Sequence, residues 1–247
     1  SFEEYTQALI DNNEAIQDAQ EVSPSDQPST SPYSAPSFES FSHRVCGNFA
    51  VYAQTTVTFA GVSSVIDGGD VGVSTAGTPI TGAVSIIAGG EIGADSVFAT
   101  SVLVAHSEAM AGTFIQIDEE PLAIEIGGEI FTPGIYRSVS LINFAYGTHV
   151  TLDGKNESNP VFLFIAGTTL VTAADTYFIL KNGAKAENVL WVLGTAATLG
   201  ANSVLEGSIL AGSAITFGTG SELHGCALAQ STVFFESGGS VVMLDGL

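Results

Sequence analysis

The segment Thr198-Leu199-Gly200-Ala201-Asn202-Ser203 returns eighteen residues later (198 to 216) as Thr216-Phe217-Gly218-Thr219-Gly220-Ser221. In the same register Gly207-Ser208-Ile209-Leu210-Ala211 meets Gly225-Cys226-Ala227-Leu228-Ala229. A fixed period restricts a chain to architectures in which each unit buries its apolar side against the next unit, because one unit alone has no core. Runs of Val, Ile, Thr and Ala punctuated by glycine read as short strands and turns. A unit of this length therefore predicts a coil with one short strand on each of three sides. The register reaches the other end of the chain, where Ala229-Gln230-Ser231-Thr232-Val233-Phe234-Phe235 is matched by Ala53-Gln54-Thr55-Thr56-Val57-Thr58-Phe59. Looser copies are Thr78-Pro79-Ile80-Thr81, Ser140-Leu141-Ile142-Asn143-Phe144 and Thr169-Leu170-Val171-Thr172.

Side chains alternate between the two faces of a strand, so the alignment sorts residues into columns. Val57, Ile80, Ile142, Val171, Ala197, Ile215 and Val233 form one apolar column. Phe59, Gly82, Phe144, Ala173, Leu199, Phe217 and Phe235 form a second, and both are expected inside. The columns between and beside them then face outward: Thr58, Thr81, Asn143, Thr172, Thr198, Thr216 and Phe234 in one, Thr56, Pro79, Leu141, Leu170, Ala196, Ala214 and Thr232 in the other. Neither contains a charge, although the chain carries 26 Asp and Glu and 5 Lys and Arg. A third column, Thr55, Thr78, Ser140, Thr169, Thr195, Ser213 and Ser231, is wholly hydroxylic. Strict alternation turns it inward as a Ser/Thr ladder, and a corner position turns it outward; both remain open at this stage.

The charge balance excludes several partners. A net charge of −21 with no cluster of Arg or Lys leaves nothing to neutralise phosphates, and it disfavours anionic membrane surfaces. No apolar run is long enough for a transmembrane helix. The chain begins at Ser1, as expected of a mature secreted protein freed of its signal peptide. Cys46 and Cys226 form either a disulfide in an oxidising compartment or two buried thiols. Asn156-Glu157-Ser158 is a glycosylation sequon in a polar stretch.

Two segments fall outside the repeat. Residues 1–42 predict an appendage. Phe2, Tyr5, Leu9 and Ile16 are spaced as in a short amphipathic helix, and a Pro/Ser-rich linker or strap follows. Within about 95–112, Phe98, Val102, Ala105 and Ala109 follow helical spacing, with Asp95 as N-cap and Gly112 as the C-terminal stop. This predicts one helix lying along the coils of the 43–247 domain.

In order along the chain, Gly47-Asn48-Phe49-Ala50-Val51, Gly69-Asp70-Val71-Gly72-Val73-Ser74, Ile80-Thr81-Gly82, Thr132-Pro133-Gly134-Ile135-Tyr136, Asn188-Val189-Leu190-Trp191-Val192 and Leu205-Glu206-Gly207-Ser208-Ile209-Leu210-Ala211 resemble the microbial ice-binding protein family. The resemblance covers roughly residues 45–245. It implies a mainly β fold: a right-handed, three-sided parallel β-solenoid of discontinuous coils with one long helix along its axis. It also implies that the N-terminal coil docks beside the C-terminal one, which makes a Cys46–Cys226 disulfide reasonable. Family ice sites often carry Thr-Ala/Gly-any-Thr/Asn, which Thr195-Ala196-Ala197-Thr198 fits fully. Ser213-Ala214-Ile215-Thr216 and Ser140-Leu141-Ile142-Asn143 fit in part, and Ser231-Thr232-Val233-Phe234 departs at its last position. Columns and pattern together nominate Thr56, Thr58, Thr81, Asn143, Thr172, Thr195, Ala196, Thr198, Ser213, Ala214, Thr216 and Thr232 as ice-contacting residues. The expected partner is an ice crystal surface, met by a monomer with no cofactor, metal or catalytic residue.

Two other functional classes compete. A secreted adhesin or glycan-binding matrix module could use the same coils as a spacer, because exposed threonine ladders also arise from strand propensity alone. A polysaccharide-active β-helix enzyme would need clustered carboxylates. The acids here are scattered, Asp118-Glu119-Glu120 being the densest run, and His43, His106, His149 and His224 lie far apart.

Overall fold

The computed structural model describes residues 45–74, 80–87, 92–112 and 119–244. The helix and linker expected within residues 1–42 lie outside the described residues, as do Thr78 and Pro79. The first part of the fold holds β1 (Phe49–Ala53), β2 (Thr56–Asp67), β3 (Asp70–Val73), β4 (Ile80–Ile87) and β5 (Ile92–Ala94), followed by α1 (Ser96–Ala111). Then come β6 (Glu119–Pro121), β7 (Ile130–Phe131), β8 (Gly134–Ser138), β9 (Ile142–Phe144), β10 (His149–Asp153), β11 (Phe162–Ala166), β12 (Leu170–Thr172) and β13 (Tyr177–Lys181). The last three coils hold β14 (Val189–Leu193), β15 (Ala197–Leu199) and β16 (Val204–Glu206), then β17 (Ser208–Ala211), β18 (Ala214–Phe217) and β19 (Glu222–His224), then β20 (Ala227–Ala229), β21 (Thr232–Phe235) and β22 (Ser240–Val242). In these last three coils each eighteen-residue repeat is one strand triplet.

Strands pair in parallel between coils rather than within them. A nine-stranded sheet runs β5-β3-β1-β20-β17-β14-β11-β8-β6, and a three-stranded sheet runs β13-β10-β7. The ten-stranded sheet runs β16-β19-β22-β2-β21-β18-β15-β12-β9, with β4 on β2. That sheet curls through β2, whose Thr56–Phe59 part pairs with β21 while Val65–Asp67 pairs with β22. It therefore has two flanks, the first from β9 through β21 to β2 and β4, the second from β16 through β22 to the far ends of β2 and β4. The first strands of the described chain sit against the last, with Val51 opposite Ala227 and Val57 opposite Val233.

Close stacking needs small residues where the chain turns between the nine-stranded sheet and the first flank. A Cβ on Gly194 would lie 2.1 Å from the Gly167 carbonyl oxygen, and one on Gly212 would lie 2.4 Å from that of Gly194. Each is a collision with backbone, so glycine is required for the coils to approach to strand-pairing distance. Inside, aromatic rings form ladders one coil apart. Phe164 stacks on Trp191 at 4.3 Å and on Tyr136 at 5.3 Å. Phe235 stacks on Phe217 at 4.2 Å and on Phe59 at 4.7 Å. Such pairs add about 0.5–1.5 kcal/mol each beyond the area they bury.

The helix begins where expected: the Asp95 carboxylate accepts hydrogen bonds from the backbone of Val97 and Phe98 at 2.9 and 2.8 Å. It ends at Gly112 in the left-handed conformation, φ 69°. Ala99, Val102 and Ala109 are buried against Tyr52, Ile135, Ile165, Val192, Leu210 and Leu228, so the helix covers the outer side of the nine-stranded sheet. Arg137 secures its far end, donating to the Met110 carbonyl at 3.3 Å while paired with Glu119 at 2.6 Å. Cys46 and Cys226 are joined by a buried disulfide that ties the start of this domain to the coil holding β20.

Candidate functional site

Helix α1 occupies the outer side of the nine-stranded sheet. On the second flank Glu206, Glu222, His224 and Asp67 occupy partly exposed strand positions, and the three-stranded sheet adds Asp153 and Lys181. The first flank is different. Its outward positions run over paired strands as Asn143, Val171, Thr198, Thr216, Phe234, Thr58 and Thr81, with no ionisable group among them. Beside this column lie Leu141, Thr169, Ala196, Ala214, Thr232 and Thr56, again uncharged.

The hydroxylic column left open by the sequence lies at the corner and faces solvent. Thr55, Thr168 and Thr195 are exposed, and Ser140, Ser213 and Ser231 are half-exposed. Parallel neighbours repeat every 4.7–4.9 Å or so, giving a two-dimensional lattice of hydroxyls and methyls. Beneath it the Phe217-Phe235-Phe59 ladder and the fully buried Ile215, Val233 and Val57 hold the strands from behind. Within the described residues no hydrogen bond ties down the hydroxyls of Thr195, Thr198, Ser213, Thr216 or Thr232, so they are available to water. Two neighbours are engaged: Thr55 donates to the Ser231 carbonyl at 2.7 Å, and Thr81 donates to the Thr58 hydroxyl at 3.4 Å.

The profile of the Ice-binding-like family matches residues 51–238. The chain belongs to that family. It is 35% identical to the ice-binding protein of Nostoc sp. strain HG1 over 166 residues, which is 66% of this chain and 59% of that protein. Identity to the ice-binding protein of Flavobacterium frigoris strain PS1 is 29% over 208 residues, 76% of this chain and 71% of that one. Among solved structures, the ice-binding protein of the Antarctic ascomycete Antarctomyces psychrotrophicus matches with a TM-score of 0.72 and 32% identity, covering 82% of this chain and 98% of that one. The ice-binding protein LeIBP of an Arctic yeast matches at 0.70 with 26% identity, covering 81% and 93%.

Of the nominated residues of this family member, Thr56, Thr58, Thr81, Asn143, Thr195, Ala196, Thr198, Ser213, Ala214, Thr216 and Thr232 lie on the first flank, exposed or half-exposed. Asn143 stands at its end and is already occupied, its amide donating to the Glu125 carboxylate, which also accepts from the backbone of Ala145 at 2.9 Å and Gly127 at 2.8 Å.

Thr172 is a correction. Leu170 pairs with Ala197 and Val171 with Thr198, one residue away from the register that the sequence columns predict. Thr172 therefore points inward at 3% exposure, donating to the Ser203 hydroxyl at 3.1 Å and accepting from the Gly200 backbone at 2.9 Å. A one-residue slip moves every side chain to the opposite face. Here two adjacent threonines, Thr168 and Thr169, and two adjacent apolar residues, Leu170 and Val171, made both registers compatible with the pattern. The residues thereby missed are Thr168 and Thr169. The signal that finds them is the dipeptide alignment Gly167-Thr168, Gly194-Thr195, Gly212-Ser213, which the collision geometry of the glycines enforces. Thr172→Val should cost about 1–2 kcal/mol of stability, because the part-buried Gly200 backbone donor and the buried Ser203 hydroxyl both lose that partner, and leave the outward columns untouched. Chemical denaturation measures the loss, and ice activity at equal folded concentration checks the second half.

The histidines are structural in their surroundings. His106 bonds the Leu193 carbonyl at 2.8 Å and His149 stacks on Tyr177 at 5.2 Å, while His43 lies outside the described residues. His224 sits between Glu206 and Glu222, at 2.9 and 2.7 Å from its two ring nitrogens. The hydrogen bond that the ring donates to Glu206, helped by Glu222 and by both carboxylate charges, outweighs the burial that disfavours the imidazolium and pushes its pKa up to about 9. Because the folded pKa lies above the unfolded value of about 6.5, this cross-coil bridge is fully stabilising below that pH and is lost as pH rises through about 9. Discounted for solvent screening, the effect is about 1–2 kcal/mol. Urea melts at pH 6 and pH 10 should show that difference in the native protein and not in His224→Gln. Among the described residues no group of three or more His, Cys, Asp or Glu could hold a metal ion, and no helix is long and apolar enough to cross a membrane.

Proposed function

We propose that this chain binds ice through the outward columns of the first flank, with Thr195, Ala196, Thr198, Ser213, Ala214 and Thr216 at the centre of the contact. The observation that carries the reading is the absence of charge from the outward strand positions of that flank from β9 to β4, with Glu125 standing only beyond its β9 end, in a chain of net charge −21 whose second flank carries Glu, His and Asp. A charged group holds its hydration shell strongly and in its own geometry. Hydroxyls at strand spacing hold water by hydrogen bonds while the methyls beside them cage it, so a lattice-like layer can form before the crystal is met. Family membership and the names of the relatives support the same reading. The adsorbed protein would force the ice front to grow curved between bound molecules, lowering the growth temperature and slowing recrystallisation.

We further infer that the coils form a right-handed, three-sided β-solenoid, the hand that parallel crossover connections favour. The protein acts as a secreted monomer, with the disulfide suited to an oxidising compartment and residues 1–42 as an appendage to the 43–247 domain. The test is nanolitre cryoscopy on a single ice crystal held just below its melting point. A faceted crystal that does not grow across a measurable temperature interval supports ice binding. A round crystal that grows at once overturns it and brings the glycan or adhesin reading forward.

A further inference from the structure

Read along the chain, Phe234 belongs to the last repeat and would stand at the edge of the outward face. The fold moves it to the interior. Because β2 pairs with β21, Phe234 is flanked by Thr216 on one side and Thr58 on the other, with Thr198 and Thr81 one strand further out in each direction. It is an aromatic interruption between Thr198 and Thr216 on one side and Thr58 and Thr81 on the other.

Phe234 is 37% exposed, the one large aromatic among the outward positions of this column. A phenyl group reaches further from the strand than a threonine side chain, so the ring rises above the plane of the threonine methyls between Thr216 and Thr58. A crystal face that seats on Thr198 and Thr195 is held away from Thr58 and Thr81 by the ring between them. Behind the column the Phe217-Phe235-Phe59 stack is continuous, so the interruption belongs to the surface and leaves the scaffold regular.

We propose that Phe234 divides the hydroxylic face into two separate arrays, and that the array on β18, β15, β12 and β9 alone seats on ice in the native protein. The threonines of β2 and β4 form a second array that the ring keeps out of register with the crystal. This rests on the ice-binding reading. Phe234 is then the residue that limits contact area, and threonine in its place would join the arrays into one.

The experiment compares thermal hysteresis of the native protein, Phe234→Thr, Thr81→Tyr, the double variant of those two, and Thr198→Tyr, with a thermal melt confirming that each is folded. Threonine suits an outward strand position, so Phe234→Thr should remain folded. Joining the arrays should raise hysteresis about twofold at equal concentration, since a second set of contacts becomes simultaneous with the first. Thr81→Tyr alone should lose far less than Thr198→Tyr, but in the Phe234→Thr background it should abolish the gain. The proposal is overturned if Phe234→Thr leaves hysteresis unchanged or lowers it, or if Thr81→Tyr alone matches Thr198→Tyr. Failure of the ice-binding reading itself looks different: Thr198→Tyr would then be as active as the native protein, or none of the proteins would show hysteresis.

Discussion

Thr198→Tyr should lose roughly four-fifths or more of thermal hysteresis at equal concentration while the thermal midpoint moves by no more than about 2 °C, because a steric clash with a rigid partner removes contacts that no side-chain adjustment restores. Thr198 is exposed, pairs with Thr216 and Val171 on either side, and lies over buried Ala197 and Leu199. A phenol ring there meets no core atom, so the fold has no reason to fail. It stands above the plane of the neighbouring methyls and holds the face off the crystal. Thr198→Ser separates the two parts of a threonine's role: it keeps the hydroxyl and removes the methyl, and a loss intermediate between native and Thr198→Tyr is expected. Single-crystal cryoscopy with circular dichroism as a folding control reads both quantities. Full activity in Thr198→Tyr would move the contact away from the first flank.

Removing the disulfide should have the largest effect on stability. Cys46 and Cys226 are 180 residues apart, so the bond closes most of the domain into one loop in the unfolded state. Chain entropy for a loop of that size gives about 5 kcal/mol, within the range of about 2–5 kcal/mol lost when native bridges are removed. For a domain of about 200 residues this corresponds to a fall in thermal midpoint of about 10 °C or more. The double variant Cys46→Ala/Cys226→Ala, measured by scanning calorimetry against the oxidised native protein, checks it. The structural consequence is specific. The bridge ties β1, and through it β2, to the last coil, so its loss frees the pairing of Val57 with Val233 and of Phe59 with Phe235. The β2 and β4 end should therefore loosen first, visible as early amide exchange at Val57 and Phe59 while β14 and β15 stay protected. A midpoint unchanged in the double variant would mean that docking of β1 on β20 is held by packing alone.

How much of this was legible beforehand differs from one element to the next. The three C-terminal coils were readable because their period is strict: Ala197, Ile215 and Val233 come into register by counting alone. Helix α1 was readable from Asp95, Gly112 and a spacing that no strand could satisfy. The bridge between the ends of the domain followed from the family resemblance and not from the two cysteines, which by themselves allowed free thiols equally well. The β12 copy was misread by one residue because alternation carries no information where both neighbours are apolar. Backbone collision at Gly167, Gly194 and Gly212 settles that register, and collision is a property of coordinates. The hydroxylic corner column was undecidable for a similar reason: at a turn the chain leaves strand geometry, and period two no longer tells inside from outside.

The amino-acid sequence by itself determined that the chain would stack coils, which columns would be apolar, and that a band of threonine and alanine would carry no charge. These follow from periodicity and composition, which are local properties of the text. Tertiary structure decided which bands are free and which are contiguous. It laid α1 over one sheet, placed Glu206, Glu222 and His224 on another flank, and left the first flank open. By pairing β2 with β21 it also turned an apparent edge into the middle of a face, with Phe234 inside it. Closure of the first coil onto the last is a contact between residues far apart in the chain, made because unpaired backbone groups and apolar surface at both ends are satisfied together.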